Sequence, residues 1–256
     1  MTEEERLFAA LLDEIMSVDE STNSTVTRDL DAMQLEVADI LDHYTRADGT
    51  INRSRVEALL RDIRPVEEEH SNVLFNGTVD GMDVAAGTVV AYLLANVFSG
   101  GTQKRLDAME DIALKRWLND MSLMDRTQIV SGDYGDALRT TIRTGVYRNQ
   151  TPADILQSVR DVHKAEQWKV DRIVTSEINN TYRMQFGTTA NANGDGYVQF
   201  YESEWCTSRN HHKHRCHILA NEDRYGKGKG VFKWDDLEIY APHPQCRGFL
   251  GTFSER

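Results

Sequence analysis

The sequence predicts a mainly helical N-terminal body followed by a small α+β module at the C-terminus. Apolar residues recur with helical period up to about residue 190, and the pattern then becomes alternating. All three cysteines lie in the last fifth of the chain. We therefore expect a helical region over 1–130 and a C-terminal region over 131–256, with helices at 151–190 and a β/metal module at 196–252.

The helical region is predicted from apolar residues at helical spacing, interrupted by five breaking stretches. Thr2 and Glu5 have capping-box spacing at the start of the first helix. The last helix of the region is expected over 108–124. The expected breaks are the polar stretch 19–25, Asp48-Gly49, Pro65, Asn76-Gly77 and Gly100-Gly101.

The most apolar stretch, residues 82–98, is predicted to be a buried core helix. It is short for a membrane span and contains Asp83 and Asn96, so we expect no membrane association. The acidic N-terminus lacks the basic residues of a secretion signal, and an odd number of cysteines argues against a disulfide framework. These features indicate an intracellular, reducing setting.

Thr151, Pro152 and Asp154 predict the clearest helix start in the chain, because they supply an N-cap, a first helical position and a capping-box partner. Further along, apolar residues at helical spacing form one face that includes Glu177. Two alternatives stay open for this carboxylate. It either lies at the edge of the face and reaches water, or it is buried, in which case it must find hydrogen-bond partners or shift its pKa.

The C-terminal module is predicted to contain three short strands. Alternation after Gly196 predicts the first strand over 197–204, and VFKW (231–234) and LEIY (237–240) predict two more. The glycine-rich GKGKG at 226–230 lacks the Ser/Thr and the helix of a phosphate-binding loop, so we interpret it as a hairpin turn.

Charge is unevenly distributed along the chain. The net charge is −12, yet residues 204–256 hold nine Lys/Arg against seven Asp/Glu. A chain this acidic is not built to coat DNA by neutralising phosphates, so any contact with nucleic acid is expected in the basic, histidine-rich tail. The sequence also lacks the P-loop, dinucleotide-binding, G-x-S-x-G and H-E-x-x-H motifs.

Cysteines and histidines near the C-terminus form a candidate metal site. Cys206 and Cys216 lie in the stretch WCTSRNHHKHRCH, and His243 and Cys246 stand three residues apart downstream, with Pro244 stiffening the turn. Together the four would supply a Cys3His set, which suits tetrahedral zinc and would stabilise a module with a small core. The candidate substitute ligands are His212, His214 and His217.

Two alternatives to a metal site stay open. The two cysteines of that stretch stand farther apart than in a zinc knuckle, so they could be buried or surface thiols beside a solvated histidine loop. The order His211-His212, Asn221 and His243 also loosely resembles the HNH-type nucleases, in which a histidine activates water and a metal ion stabilises phosphate. The second downstream histidine of those nucleases is missing here.

Residues 130–252 resemble the Mu F-like phage minor head proteins, also called phage head morphogenesis proteins. The resemblance rests on the helix RIVTSEINNTYRMQF, a glycine-rich turn and a strand ending in Trp205. It continues through HRCHILANEDRYGKGKGVFKWDDL and ends with APHPQCRGF. The N-terminal half is similar to the family only in its general helical character.

The resemblance implies roles for individual residues. Ser176 and Glu177 stand at the family's Thr-Glu, where a structural polar role is implied. Cys216 falls on the first cysteine of the family's pair, whereas Leu219 replaces the second, and Gly248 replaces the last cysteine of the closing Cys-Arg-Cys. A metal site here therefore needs a further cysteine or a histidine. The residues that match the closing motif are His243, Pro244, Cys246 and Arg247.

The function that the resemblance implies is assembly rather than catalysis. Proteins that look like this are low-copy components of the phage head that act in head morphogenesis and in DNA packaging or ejection. We expect binding to the portal protein and the major capsid protein, with scaffold as a further candidate and packaged DNA contacting the basic tail. The expected location is the virion, at the head interior or portal vertex, and the host cytoplasm during assembly.

Two alternative functions belong to other classes. The first is a metal-dependent nuclease or toxin-type enzyme that uses the histidines between 211 and 243. The second is a zinc-stabilised interaction protein outside phage biology.

Overall fold

The computed structural model describes residues 3–98, 100–103, 121–203 and 214–253. This part of the chain is mainly helical and ends in a small three-stranded antiparallel sheet, which confirms the predicted combination. The helices are α1 (Glu3–His43), α2 (Val56–Asn96), α3 (Leu123–Tyr147), α4 (Pro152–Ala192) and α5 (Arg215–Asn221). The strands are β1 (Tyr197–Tyr201), β2 (Val231–Lys233) and β3 (Phe249–Thr252). Most of the helix predicted over 108–124 lies outside the described residues.

Helix α1 continues through the polar stretch 19–25, so the break predicted there is wrong. The apolar stripe does not stop, because Val18 and Val26 are buried four residues on either side of the buried Thr22. Asp19 is also buried, and its carboxylate accepts a hydrogen bond from the Thr175 hydroxyl over 2.9 Å. The buried carboxylate of Asp19 is compatible with the helix because a residue far along the chain donates to it.

Helix α2 continues through Pro65 and Asn76-Gly77, which are also not breaks. Pro65 is exposed, and a proline inside a helix costs about 3 kcal/mol. The buried neighbours Ile63 and Val66 offset this cost, at about 1.5–3 kcal/mol for each buried side chain. Gly77 allows a close approach, since an added Cβ would lie 2.6 Å from Cγ2 of Val26.

Helix α4 begins as predicted. The Thr151 hydroxyl donates to the Asp154 carboxylate over 2.7 Å and accepts from the Asp154 backbone N–H over 3.2 Å. The Thr151 backbone N–H completes the capping box by donating to the same carboxylate. A purely local signal therefore fixes this helix end.

The sheet has the strand order β2-β1-β3, with both pairs antiparallel. The predicted strands at 197–204 and 231–234 are present as the shorter β1 and β2. The strand predicted at 237–240 is wrong, because Leu237–Ile239 forms a 3-10 turn capped by the Asp236 carboxylate, which accepts from the Glu238 N–H. Strand β3 was not predicted, and it pairs Tyr201 with Phe249 at one end of β1.

The chain forms two compact units, each built from separate segments. Unit 1 comprises Met1–Thr22, Thr78–Ser122 and Arg172–Arg256, and it includes the sheet and α5. Unit 2 comprises Asn23–Gly77 and Leu123–Asp171 and has helical segments around an apolar core. The boundary expected at residue 130 stays a prediction. Buried core residues of unit 2 include Leu30, Leu41, Leu59, Ile63, Leu138 and Ile142.

One helix of the described residues is long and apolar enough to cross a membrane by length and composition. It lies within Arg53–Asn96, where the mean hydropathy of an 18-residue window is 1.3 and 44% of that window is buried. A helix in a protein core meets the same criterion. Within the stretch predicted as core, Met82, Val89 and Leu93 are fully buried in unit 1.

Candidate metal centre and closing loop

Helix α5 and a turn near the C-terminus bring three potential metal ligands together in unit 1. We call His214, Cys216 and His243 the donor cluster; one ligand atom from each lies within 4.8 Å of the other two. The Cys216 Sγ is 2.9 Å from the His243 Nε2, and the rings of His214 and His243 are 4.3 Å apart. The donor cluster can hold a metal ion, since thiolate and imidazole are ligands that transition metals prefer.

Cys246 lies directly beside the donor cluster. Its Sγ is 3.0 Å from the Cys216 Sγ, and both cysteines are fully buried. Burial opposes ionisation of the Cys246 thiol. The hydrogen bond with Cys216, the charge of Arg183 and the His243 ring outweigh it, so the pKa of Cys246 is well below its usual range. A lowered thiol pKa favours the thiolate that metals bind.

The turn that presents His243 and Cys246 is part of the closing loop, which we define as residues 241–248. Within it the Cys246 N–H donates to the His243 carbonyl over 3.3 Å, and Gln245 takes a left-handed backbone conformation with φ of 56°. The His243 Nδ1 is 2.8 Å from the Pro244 carbonyl oxygen. Because a carbonyl only accepts, Nδ1 donates this hydrogen bond, and Nε2 is the nitrogen that faces Cys216 and can bind a metal ion when the ring is neutral.

Arg183 holds the closing loop against α4, and sequence reasoning did not single it out. Its buried guanidinium donates to the backbone carbonyls of Tyr240 (2.8 Å), Cys246 (3.0 Å) and Gly248 (2.7 Å). A further bond of 2.7 Å goes to the side-chain oxygen of Asn180. The signal was present in RIVTSEINNTYRMQF, where polar residues occupy every face of a helical stretch; in the structure this part of α4 is almost wholly buried.

Of the three residues predicted to have structural polar roles, Ser176 contacts the closing loop, Arg247 belongs to it, and Glu177 lies next to Ser176 on α4. The Ser176 hydroxyl accepts from the Gln245 N–H over 2.8 Å and donates to the Arg172 carbonyl. Glu177 is 2% exposed, which resolves its two alternatives in favour of a buried carboxylate; its Oε1 is 3.5 Å from the Asn180 amide. The Arg247 guanidinium lies 3.7 Å from the buried Asp19 carboxylate.

The structure describes only two of the other predicted ligands, His214 and His217. Cys206 and His212 lie outside the described residues. His214, predicted as a substitute, belongs to the donor cluster, whereas the His217 Nδ1 lies 3.2 Å from the Glu202 carboxylate. Asn221, part of the nuclease-like order, donates to the His217 carbonyl.

The sulfur and nitrogen atoms of the donor cluster are of the kinds that bind metal ions. Among the described residues, the buried His214 Nδ1 has no hydrogen-bond partner, and such a nitrogen is suited to a metal ion. Tetrahedral zinc would set the S–S separation at about 3.7 Å and the S–N separation at about 3.5 Å. The observed separations of 3.0 and 2.9 Å would therefore have to widen on binding.

The comparisons with known proteins identify no relative of this chain. No protein-family model matches it, and no curated protein or solved structure matches it either.

Proposed function

We propose that this protein is a phage minor head protein of the Mu F-like kind, which acts in head morphogenesis by binding rather than by catalysis. One observation supports this most. The separate stretches that resemble the family contact each other, since the Gln245 N–H in the closing loop donates to Ser176 of α4. Arg183 of the same helix binds the carbonyls of Cys246 and Gly248. The resemblance thus covers one connected structural module.

The metal of the site is proposed to be zinc, held by His214, Cys216, His243 and Cys246. Two thiolates and two imidazoles suit the tetrahedral geometry of structural zinc, and fully occupied sites of this kind leave no position for a substrate. Zinc would supply folding free energy to a module whose sheet has only three short strands. Its proposed role is therefore structural.

The proposed partners are the portal protein and the major capsid protein, with scaffold as a further candidate. A net charge of −12 disfavours non-specific binding to packaged DNA, which supports a protein–protein role for most of the chain. The basic tail over residues 204–256 is the proposed region of any DNA contact. The proposed location is the virion, with the host cytoplasm during assembly.

Co-expression with the portal protein encoded nearest to this chain's gene tests the proposed function. We expect a tagged chain to retain the portal protein through gel filtration, and the untagged chain to be present in purified virions at low copy number. The Arg183→Met variant, with its closing loop detached, should lose the portal protein, and the exposed Arg172→Met variant should retain it. Absence from virions, or cleavage of plasmid DNA with added magnesium or zinc, would contradict the proposal.

A further inference from the structure

The sulfur atoms of the two buried cysteines are too far apart for a disulfide bond and too close for two ligands of one zinc ion. The Sγ atoms of Cys216 and Cys246 are 3.0 Å apart. A disulfide would require about 2.05 Å, and two thiolates on one tetrahedral zinc would require about 3.7 Å. The sulfurs therefore need to move by less than about 1 Å to reach either state.

We infer that Cys216 and Cys246 form a reversible disulfide that competes with the metal ion for the same two sulfurs. In the reduced state the thiolates are ligands, and in the oxidised state they are not. Among the described residues, His214 and His243 would then be the remaining donors, and two imidazoles are too few to hold a structural zinc ion. The release of metal rests on the proposed zinc site, whereas disulfide formation needs only the cysteines.

The backbone around both cysteines holds the two residues close to each other. Cys216 lies on α5, and the carbonyl of Cys246 is bound by the buried Arg183. The Gly248 N–H also points to the Cys246 Sγ, over 3.4 Å. Because the surroundings hold the two sulfurs in contact, oxidation would join them before either could be oxidised further.

The oxidant we propose is a peroxide, which accepts two electrons from a pair of thiolates. One thiolate attacks a peroxide oxygen; an S–O bond forms, the O–O bond breaks and hydroxide leaves. The second thiolate attacks that sulfur; the S–S bond forms, the S–O bond breaks and a second hydroxide leaves. The sulfurs lose two electrons in total, the peroxide gains them, and two protons convert the hydroxides into water.

Tryptic mapping can test this inference without ambiguity, because each cysteine falls on a different peptide. Cys206 lies on 184–209, Cys216 on 216–224 and Cys246 on 234–247. The full chain, in metal-free and zinc-loaded forms, is treated with hydrogen peroxide and digested without reduction. We expect the peptides 216–224 and 234–247 to be linked in both forms, with a loss of about 2 Da from the intact chain.

The zinc-loaded form should release one zinc ion for each disulfide formed, and dithiothreitol should restore binding. The Cys206→Ser variant should give the same link, since it leaves both buried cysteines in place. A link to the peptide 184–209, sulfinic acid without any link, or no reaction would each overturn the inference. If the disulfide link forms in a protein that binds no zinc, the zinc proposal fails and the disulfide inference stands. If zinc binds but no link forms, the disulfide inference fails and the zinc proposal stands.

Discussion

The Nη1 of Arg183 donates to the backbone carbonyl of Cys246 over 3.0 Å, and both residues are fully buried. A side chain from the C-terminal part of the long helix α4 thereby holds one of the candidate metal ligands. Because the bond goes to the backbone, it fixes the path of the closing loop and leaves the Cys246 sulfur free to bind elsewhere. The contribution of Arg183 to the closing loop can therefore be tested without changing a metal ligand.

Arg183→Met should lower the free energy of unfolding by at least about 3 kcal/mol, because three buried carbonyls lose their donor at about 1–3 kcal/mol each. Urea unfolding followed by circular dichroism would measure this. The control is Arg172→Met on the same helix, where the exposed side chain predicts a change within about 0.5 kcal/mol. Equal effects of the two substitutions would contradict a special role for Arg183.

The zinc proposal predicts about one zinc ion per chain in the purified protein, measured by elemental analysis. Combining His243→Ala with Cys246→Ser should abolish binding, because half of the ligands are removed. His217→Ala is the matched control, since His217 contacts Glu202 and lies on the same short helix as Cys216. Cys206→Ser should also keep its zinc. Loss of zinc from the Cys206→Ser variant would instead favour the Cys3His set expected from the sequence, which includes Cys206.

Two buried histidines in unit 2 predict that the protein loses stability in acid. The His70 Nδ1 is 2.8 Å from the Ser131 hydroxyl, and the His70 ring stacks on Tyr134. Burial, together with the charge of His163, lowers the pKa of His70 to about 4. Burial also lowers the pKa of His163, against the opposing effect of Asp31.

Between about pH 6.5 and 4 the unfolded chain binds a proton at His70 that the folded chain does not bind. The free energy of unfolding should therefore fall as pH falls, with His70 contributing about 2 kcal/mol of loss at pH 5. Urea titrations at pH 7 and pH 5 would measure the difference, and His70→Gln should reduce it. The exposed His43→Gln should leave the difference unchanged; a His70→Gln variant with wild-type pH dependence would refute the assignment.

Gly77→Ala should destabilise the protein by about 1–3 kcal/mol, because the new Cβ would lie 2.6 Å from Cγ2 of Val26. Gly132→Ala is the matched control within a helix. A Cβ at residue 132 meets nothing within 4 Å, so the better helix propensity of alanine should raise stability by up to about 1 kcal/mol. Thermal melting of both variants would show opposite shifts. In a Val26→Ala background, Gly77→Ala should cost less than in the wild type if the clash is the cause of the loss.

Local signals in the sequence predicted some elements correctly. The capping box at Thr151 and the alternation after Gly196 depend only on neighbouring residues, and both gave the right structure. The short spacing of His243 and Cys246 likewise predicted that the two would lie in one turn, which the structure contains. Such features can be predicted from the sequence because no distant partner is needed to form them.

Other elements depended on partners far along the chain and could not be predicted. Asp19 stays within a helix because Thr175, 156 residues away, donates to it. LEIY has the composition of a strand, but backbone hydrogen bonds from Ile239 and Tyr240, with Asp236 as the N-cap, fold it into a 3-10 helix. Arg183 looks like an ordinary helical arginine until its carbonyl acceptors are in place.

The separation of 63 residues between Arg183 and Cys246 also orders the events of folding. The ribosome makes the arginine first, and its charge stays in water as long as the carbonyls that will accept its hydrogen bonds do not exist. Burying the guanidinium earlier would desolvate a charge without compensation. The C-terminal part of α4 therefore cannot reach its final packing during synthesis until the chain has been extended through Gly248.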